Sequence, residues 1–242
     1  MIALNISDTR AQMGKQAALD ASALLRRLLA EQSQVNIVFA AAPSQDEFLA
    51  SISKQDVDWS RINAFHMDEY VGPSASFAAY LRTHLFDSVP FHAVYYLNGN
   101  APNLSEECER YADLLRRYPT DLTCMGIGEN NHIAFNDPPV ADFWDRQPVK
   151  IVTLDTACRT QQVNDGCFPS LDEVPVEALT LTIPALMRSR YVCCVVPGQR
   201  KAEAVFHTLN SPITERYPST ILRRHPSVRL YVDKAAAALL PR

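Results

Sequence analysis

The sequence predicts an α/β fold: a single domain on a mostly parallel sheet, with helices on both faces. Three observations predict it. Short apolar runs alternate with segments of helical periodicity along the chain, the pattern of strands linked by crossover helices. The runs at 35–40 and 191–196 are apolar almost throughout, as strands covered on both sides must be. No repeat, low-complexity segment or linker interrupts the 242 residues, a length that suits one large domain.

The elements follow in order. Between residues 8 and 32, Met13, Ala17, Ala21, Leu24, Leu25, Leu28 and Leu29 recur at helical spacing, which predicts a long amphipathic helix. A strand follows at 35–40, a helix at 45–53, a strand at 61–67 and a helix at 77–86. Next come a strand at 93–97 and a helix at 105–117, where Ser105 stands at the capping position of a weak capping box. After a strand at 121–125 the pattern turns polar and irregular as far as Gln147. Strands are expected again at 150–154, 178–182, 191–196 and 228–232, with a helix at 200–209. The whole is an open, Rossmann-like arrangement over residues 1–242.

Composition narrows the function. Hydrophobic residues make up 47% and charged residues 21% of a chain with net charge −4, the profile of a water-soluble globular protein. The 23 lysines and arginines are scattered rather than gathered into a basic stripe, so nucleic acid is not an expected partner. Pairs such as Arg26-Arg27 are accounted for as solvated helix faces. No apolar run approaches the roughly 20 residues of a membrane span, and the first residues carry no basic leader. The six cysteines, Cys108, Cys124, Cys158, Cys167, Cys193 and Cys194, form no C-x-x-C pair. They are expected as reduced, core-filling thiols, and the expected compartment is the cytoplasm.

Open parallel sheets bind ligands beyond the carboxyl ends of their strands. Four such ends are found, at 41–44, 68–72, 126–136 and 197–201. The chain has only seven glycines, yet Gly72, Gly126, Gly128 and Gly198 fall in these segments, which suggests tight turns or close approach to a ligand. Asp68 and Glu69 are adjacent carboxylates at the end of a buried strand, where ionised groups need partners. The plain alternative is that Asp68 caps a turn and Glu69 faces solvent. His132, among the amides and carboxylates of 126–138, is the residue type that shuttles protons near neutral pH; a surface-loop histidine bonded to backbone is the alternative. The lone Gly-x-Gly lacks the third glycine of a dinucleotide fingerprint, so no nicotinamide cofactor is expected. Lys201 and Arg200 follow Gly198 at a helix start, where anions bind, although an exposed helix lysine would look the same.

The stretch Phe65-His66-Met67-Asp68-Glu69-Tyr70-Val71-Gly72, paired with Gly126-Ile127-Gly128-Glu129-Asn130-Asn131-His132-Ile133-Ala134-Phe135-Asn136-Asp137-Pro138, resembles the glucosamine-6-phosphate deaminase family. The resemblance spans about residues 35–232, and the two motifs are highly specific together. It implies a modified Rossmann-like sandwich that converts glucosamine 6-phosphate to fructose 6-phosphate and ammonia, with no metal or organic cofactor. It implies that Asp68 moves the proton between C2 and C1, that His132 assists ring opening with Asp137 supporting it, and that Lys201 holds the phosphate. Ser44 is then the hydroxyl donor of the phosphate loop. Gly128, Glu69 and Arg159 complete the expected substrate contacts, Arg159 being offset from the family's phosphate arginine.

This chain departs from the family pattern in places. Asn130 stands where an Asp is common, Asp137 where Glu is usual, and Asn131 replaces a Gly; Asn is the non-glycine residue best suited to a left-handed turn. These departures suggest a divergent branch acting on a related amino-sugar phosphate. Three rival readings remain: a 6-phosphogluconolactonase, a non-catalytic sugar-phosphate sensor and a generic binding module. Lactonases follow the histidine with Thr-Ala-Ser-Leu-Phe, against Ile-Ala-Phe-Asn-Asp here. Sensors carry a DNA-binding unit ahead of the domain, whereas here the fold is expected to begin almost at residue 1. A generic module leaves the paired motifs unexplained. The sequence leaves the oligomeric state open, homo-oligomer included.

Overall fold

A computed structural model describes residues 2–72 and 76–241. Seven strands form one wholly parallel sheet: β1 (Ala3–Ser7), β2 (Val35–Phe39), β3 (Ile62–His66), β5 (Ala93–Tyr95), β6 (Leu122–Met125), β9 (Tyr191–Val196) and β10 (Val228–Asp233). Their spatial order is β1-β10-β9-β6-β2-β3-β5. The alternation of side chains in β2 shows why both faces are covered. Ile37 and Phe39 pack into a cluster with Met13, Leu25 and Phe48, while Val38 packs oppositely with Phe65, Tyr111 and Val205. Each fully buried aliphatic side chain contributes about 1.5–3 kcal/mol.

The first face is made by α1 (Arg10–Glu31) and α2 (Asp46–Ile52). Thr9 caps α1 by accepting from the Gln12 N–H, the usual service of a hydroxyl at that position. Gly14 sits where α1 crosses α2, and a Cβ there would collide with Glu47. The opposite face carries α4 (Leu104–Arg117), α6 (Ile183–Met187) and α7 (Ala202–Asn210). Two more helices, α3 (Phe77–Leu81) and α5 (Thr156–Asn164), lie beside the carboxyl end of the sheet. The expected helix at 77–86 is thus α3 followed by a π-helical turn over Arg82–Phe86.

The structure departs from the expected order in four ways. The strands at Val149–Thr153 (β7) and Glu177–Leu181 (β8) are not in the parallel sheet; with β4 (Asp68–Tyr70) they form a separate antiparallel sheet, ordered β4-β8-β7. Apolar runs fix strands but not their partners, so this layer was hidden. Strand β1 went unseen because none of its residues is buried, Ile6 standing 51% exposed. Helix α5 went unseen because its buried residues are Cys158, Gln161 and Gln162, with no apolar stripe. Finally, α4 is capped by Asn103, which accepts from the N–H groups of Ser105 and Glu106, not by Ser105. Five cysteines are buried free thiols, whereas Cys167 is exposed. No helix among the described residues is long and apolar enough to cross a membrane.

Candidate active site

Strand ends β9, β6, β2 and β3 lie side by side, and a narrow cleft opens beyond them. From β2 the chain moves outward through β3 to β5, while β6 returns to the other side of β2. Crevices form at such reversals of strand order. The cleft is lined by Ser44, Asp68, Gly128, His132 and Lys201 together with Gln45, Gln161, Gln162 and Asp165. A Cβ on Gly126 would stand 3.0 Å from Gln45 Nε2 and 3.4 Å from Ser44 Oγ, so glycine here lets the loops after β2 and β6 meet.

Asp68 and Glu69 divide their roles by the alternation of β4. Glu69 turns away from the cleft and accepts from the N–H groups of Tyr70, Phe77 and Ala78 and from the Ser76 hydroxyl, at 2.8–3.0 Å. It caps α3 and does not reach the substrate cleft, contrary to expectation. Burial raises its carboxyl even against those four donors. Asp68 faces the cleft instead, 7% exposed. Burial, and then the charge of Glu69, hold its carboxyl well above the ordinary carboxylate value, the direction that suits a proton carrier.

His132 sits on a loop stapled at both ends. Asn131, at φ 68°, donates from its amide to Ala204 O and Ser219 Oγ, each at 2.8 Å. This is the left-handed turn the sequence suggested for Asn. The Phe135 N–H donates to Thr180 Oγ1, and Asn136 to Ile133 and Leu181 carbonyls. Asn130 Oδ1 accepts from the His132 N–H, which fixes its amide orientation; its Nδ2 then donates to Asp137 Oδ1 at 2.9 Å. His132 Nδ1 faces two acceptors, Asn130 Oδ1 at 2.7 Å and Asp137 Oδ1 at 3.1 Å. The proton therefore belongs on Nδ1, and Nε2 is the free nitrogen. Gly128 lies against the ring itself, where any Cβ would overlap the imidazole.

Burial alone would lift the Asp137 carboxyl, but the charge of His132 and hydrogen bonds from His132, Asn130 and Cys158 outweigh it, so its pKa falls. His132, Asp137 and Cys158 offer ligand atoms within 4.8 Å of one another, a donor set of the kind zinc takes. Burial and the neighbouring Asp137 push the Cys158 thiol far up, while a metal needs the thiolate. Hydrogen bonds already link the three groups, with Cys158 and His132 both facing the Asp137 carboxylate.

Lys201 is 6% exposed, and no carboxylate among the described residues lies within 4.0 Å of its Nζ. Burial lowers its pKa, opposed by Asp165 and Glu129. The Gly198 N–H donates to Asp233 at 3.0 Å. Arg200 turns to Glu129 and Asp165. Arg159 is not in the cleft: its guanidinium donates to the carbonyls of Leu171 and Val174 at 2.7 and 3.0 Å. In its place α5 presents Gln161 and Gln162, which the sequence reading missed. Gln161 Oε1 accepts from the Glu129 N–H at 2.8 Å, and Gln162 Oε1 from the Tyr70 hydroxyl at 2.7 Å. The capping residue Asp155, which accepts from the Cys158 N–H, was the available signal for this helix.

Comparison with known proteins places the chain in a family. The pattern of the family described as glucosamine-6-phosphate isomerases/6-phosphogluconolactonase matches residues 8–231. A glucosamine-6-phosphate deaminase of Bacillus cereus is 34% identical over 220 residues, covering 89% of this chain and 82% of its own length. A solved monomeric glucosamine-6-phosphate deaminase is 28% identical and superposes with a TM-score of 0.90, over 98% of this chain and 100% of that one. A 6-phosphogluconolactonase from Thermotoga maritima, 21% identical with a TM-score of 0.79 over 97% and 100%, shares the fold. From its sequence pattern, its fold and the relatives it matches, the chain belongs to the glucosamine-6-phosphate isomerase/6-phosphogluconolactonase family.

Proposed function

We propose that this protein is an amino-sugar-phosphate deaminase that converts glucosamine 6-phosphate, or a close hexosamine 6-phosphate, to the ketose phosphate and ammonia. The observation that carries the reading is that one cleft holds both an unpaired, buried carboxyl at Asp68 and a histidine oriented by a carboxylate. Isomerisation of a 2-amino aldose through an enolamine needs two separate proton movements, one at the ring oxygen and one between C2 and C1. Water then hydrolyses the resulting C2 imine, so that its oxygen becomes the ketone and the nitrogen leaves as ammonia. His132 Nε2 serves the first, with Asp137 and Asn130 fixing the tautomer. Asp68 serves the second, taking the proton from C2 and returning it to C1. Lys201 and Ser44 hold the phosphate at the far end. Hydrolysis of a lactone would need one base to activate water and would leave Asp68 without a task.

The test is a panel of hexosamine 6-phosphates and 6-phosphogluconolactone, scored for ammonia, ketose phosphate and 6-phosphogluconate. Ammonia with stoichiometric ketose phosphate is the expected result. Turnover of the lactone alone would replace this reading with the lactonase one.

A further inference from the structure

His66 is fully buried, stands two residues before Asp68 and does not line the cleft. Strand β3 ends at His66 and β4 begins at Asp68, so Met67 alone separates these strands of the two sheets. Its N–H donates to Phe39 O in the first, and its carbonyl accepts from the Leu181 N–H in the second. The ladder bonds of β4 fall on Met67 and on Val71, whose N–H donates to Glu177 O. In an antiparallel pair the residues between alternate in direction, so the backbone of Asp68 points away from β8. Its carbonyl meets His66 Nδ1 at 2.9 Å. The other ring nitrogen, Nε2, lies 2.9 Å from the Leu97 N–H. A backbone N–H only donates, so Nε2 must accept and Nδ1 must carry the proton. The tautomer is therefore set by the main chain.

We propose that His66 is a positioning residue for Asp68: its neutral imidazole clamps the Asp68 carbonyl to the β5-side backbone and so fixes the reversal between sheets that aims the carboxylate into the cleft. The inference rests on the reading that Asp68 carries the proton. Burial keeps the ring neutral, lowering its pKa to about 4. The groups around it are Tyr111 and Glu107 of α4, Tyr96 and the Asp68 backbone. None of them competes for Nδ1. A base displaced by about 1 Å can lose on the order of 100-fold in rate, which is the reason to hold it by backbone rather than by its own reacting oxygens.

Three variants separate the two ring nitrogens. His66→Asn places an amide donor near the Nδ1 position, and His66→Gln places an amide oxygen near Nε2. His66→Leu supplies neither. Clamping of the Asp68 carbonyl predicts that Leu and Gln lower kcat by about 10- to 100-fold with KM nearly unchanged, while Asn restores most of it. Rescue by Gln rather than Asn, a loss confined to KM, or a Leu variant with wild-type kcat would each overturn the proposal. The tautomer is measured separately by nitrogen NMR of the wild-type protein at pH 7, without substrate. A protonated Nδ1 and bare Nε2 are expected, and the opposite tautomer would also overturn it. A wild-type protein inactive on every hexosamine phosphate would instead remove the functional reading, and the NMR result would still judge the clamp.

Discussion

At the scale of single residues, the division between Asp68 and Glu69 has opposite consequences for activity and stability. Asp68→Asn should lower kcat by about 10²–10⁴-fold with little change in KM, the usual loss for a positioned acid/base. The same variant should melt higher than wild type at pH 7. Its folded-state pKa is raised, so the folded protein holds the Asp68 proton where the unfolded chain has released it. Stability from this group is then full below the ordinary carboxylate value and is lost as pH rises. The gain in melting temperature should accordingly vanish near pH 4; a gain independent of pH would deny that Asp68 is strained by burial. Lys201 is read through KM. A charged hydrogen bond is worth roughly 1.5–3 kcal/mol, so Lys201→Ala should raise KM by about 10- to 150-fold and leave kcat nearly intact. An unchanged KM for the phosphorylated sugar would take Lys201 out of the site.

At the scale of elements, α3 depends on a carboxylate from outside itself. Glu69→Ala removes the acceptor for three backbone N–H groups and the Ser76 hydroxyl. It should cost about 2–3 kcal/mol, measured by denaturant unfolding; a loss below about 0.5 kcal/mol would mean that water replaces the cap. This cap also marks what the sequence made legible. The buried strands and α1, α4 and α7 were plain because burial writes an apolar period into them. Residue chemistry at strand ends singled out Asp68, Gly128, His132 and Lys201, the family resemblance added Asn130, Asp137 and Ser44, and the fold brings them to one place. Which of two adjacent carboxylates faced the cleft depended on the pairing of β4 with β8, which no local pattern encodes. Arg159 was misplaced for the same reason: α5 is held by polar contacts, so its register and its glutamines left no apolar trace.

At the scale of the molecule, the cleft borrows from both sheets. Asp68 belongs to the antiparallel layer, whereas Gly128 and Lys201 follow strands of the parallel one. Phe135 and Thr180, joined by a hydrogen bond, tie the His132 loop to β8. The layers should therefore unfold together, with near-ultraviolet and far-ultraviolet circular dichroism following one denaturant curve. An earlier near-ultraviolet transition would show the antiparallel layer melting by itself. The order of strands also imposes a timetable. Ala3 in β1 pairs with Arg229 in β10, and β10 is wedged between β1 and β9. Strand β1 thus leaves the ribosome about 220 residues ahead of the strand it pairs with. At about 5–20 residues per second, it waits on the order of 10–45 seconds, with Leu4 and Ile6 lacking even the one partner they will keep. A newborn chain with β1 unpaired is most adhesive just before β10 emerges, and chaperone demand should fall sharply once β10 is released.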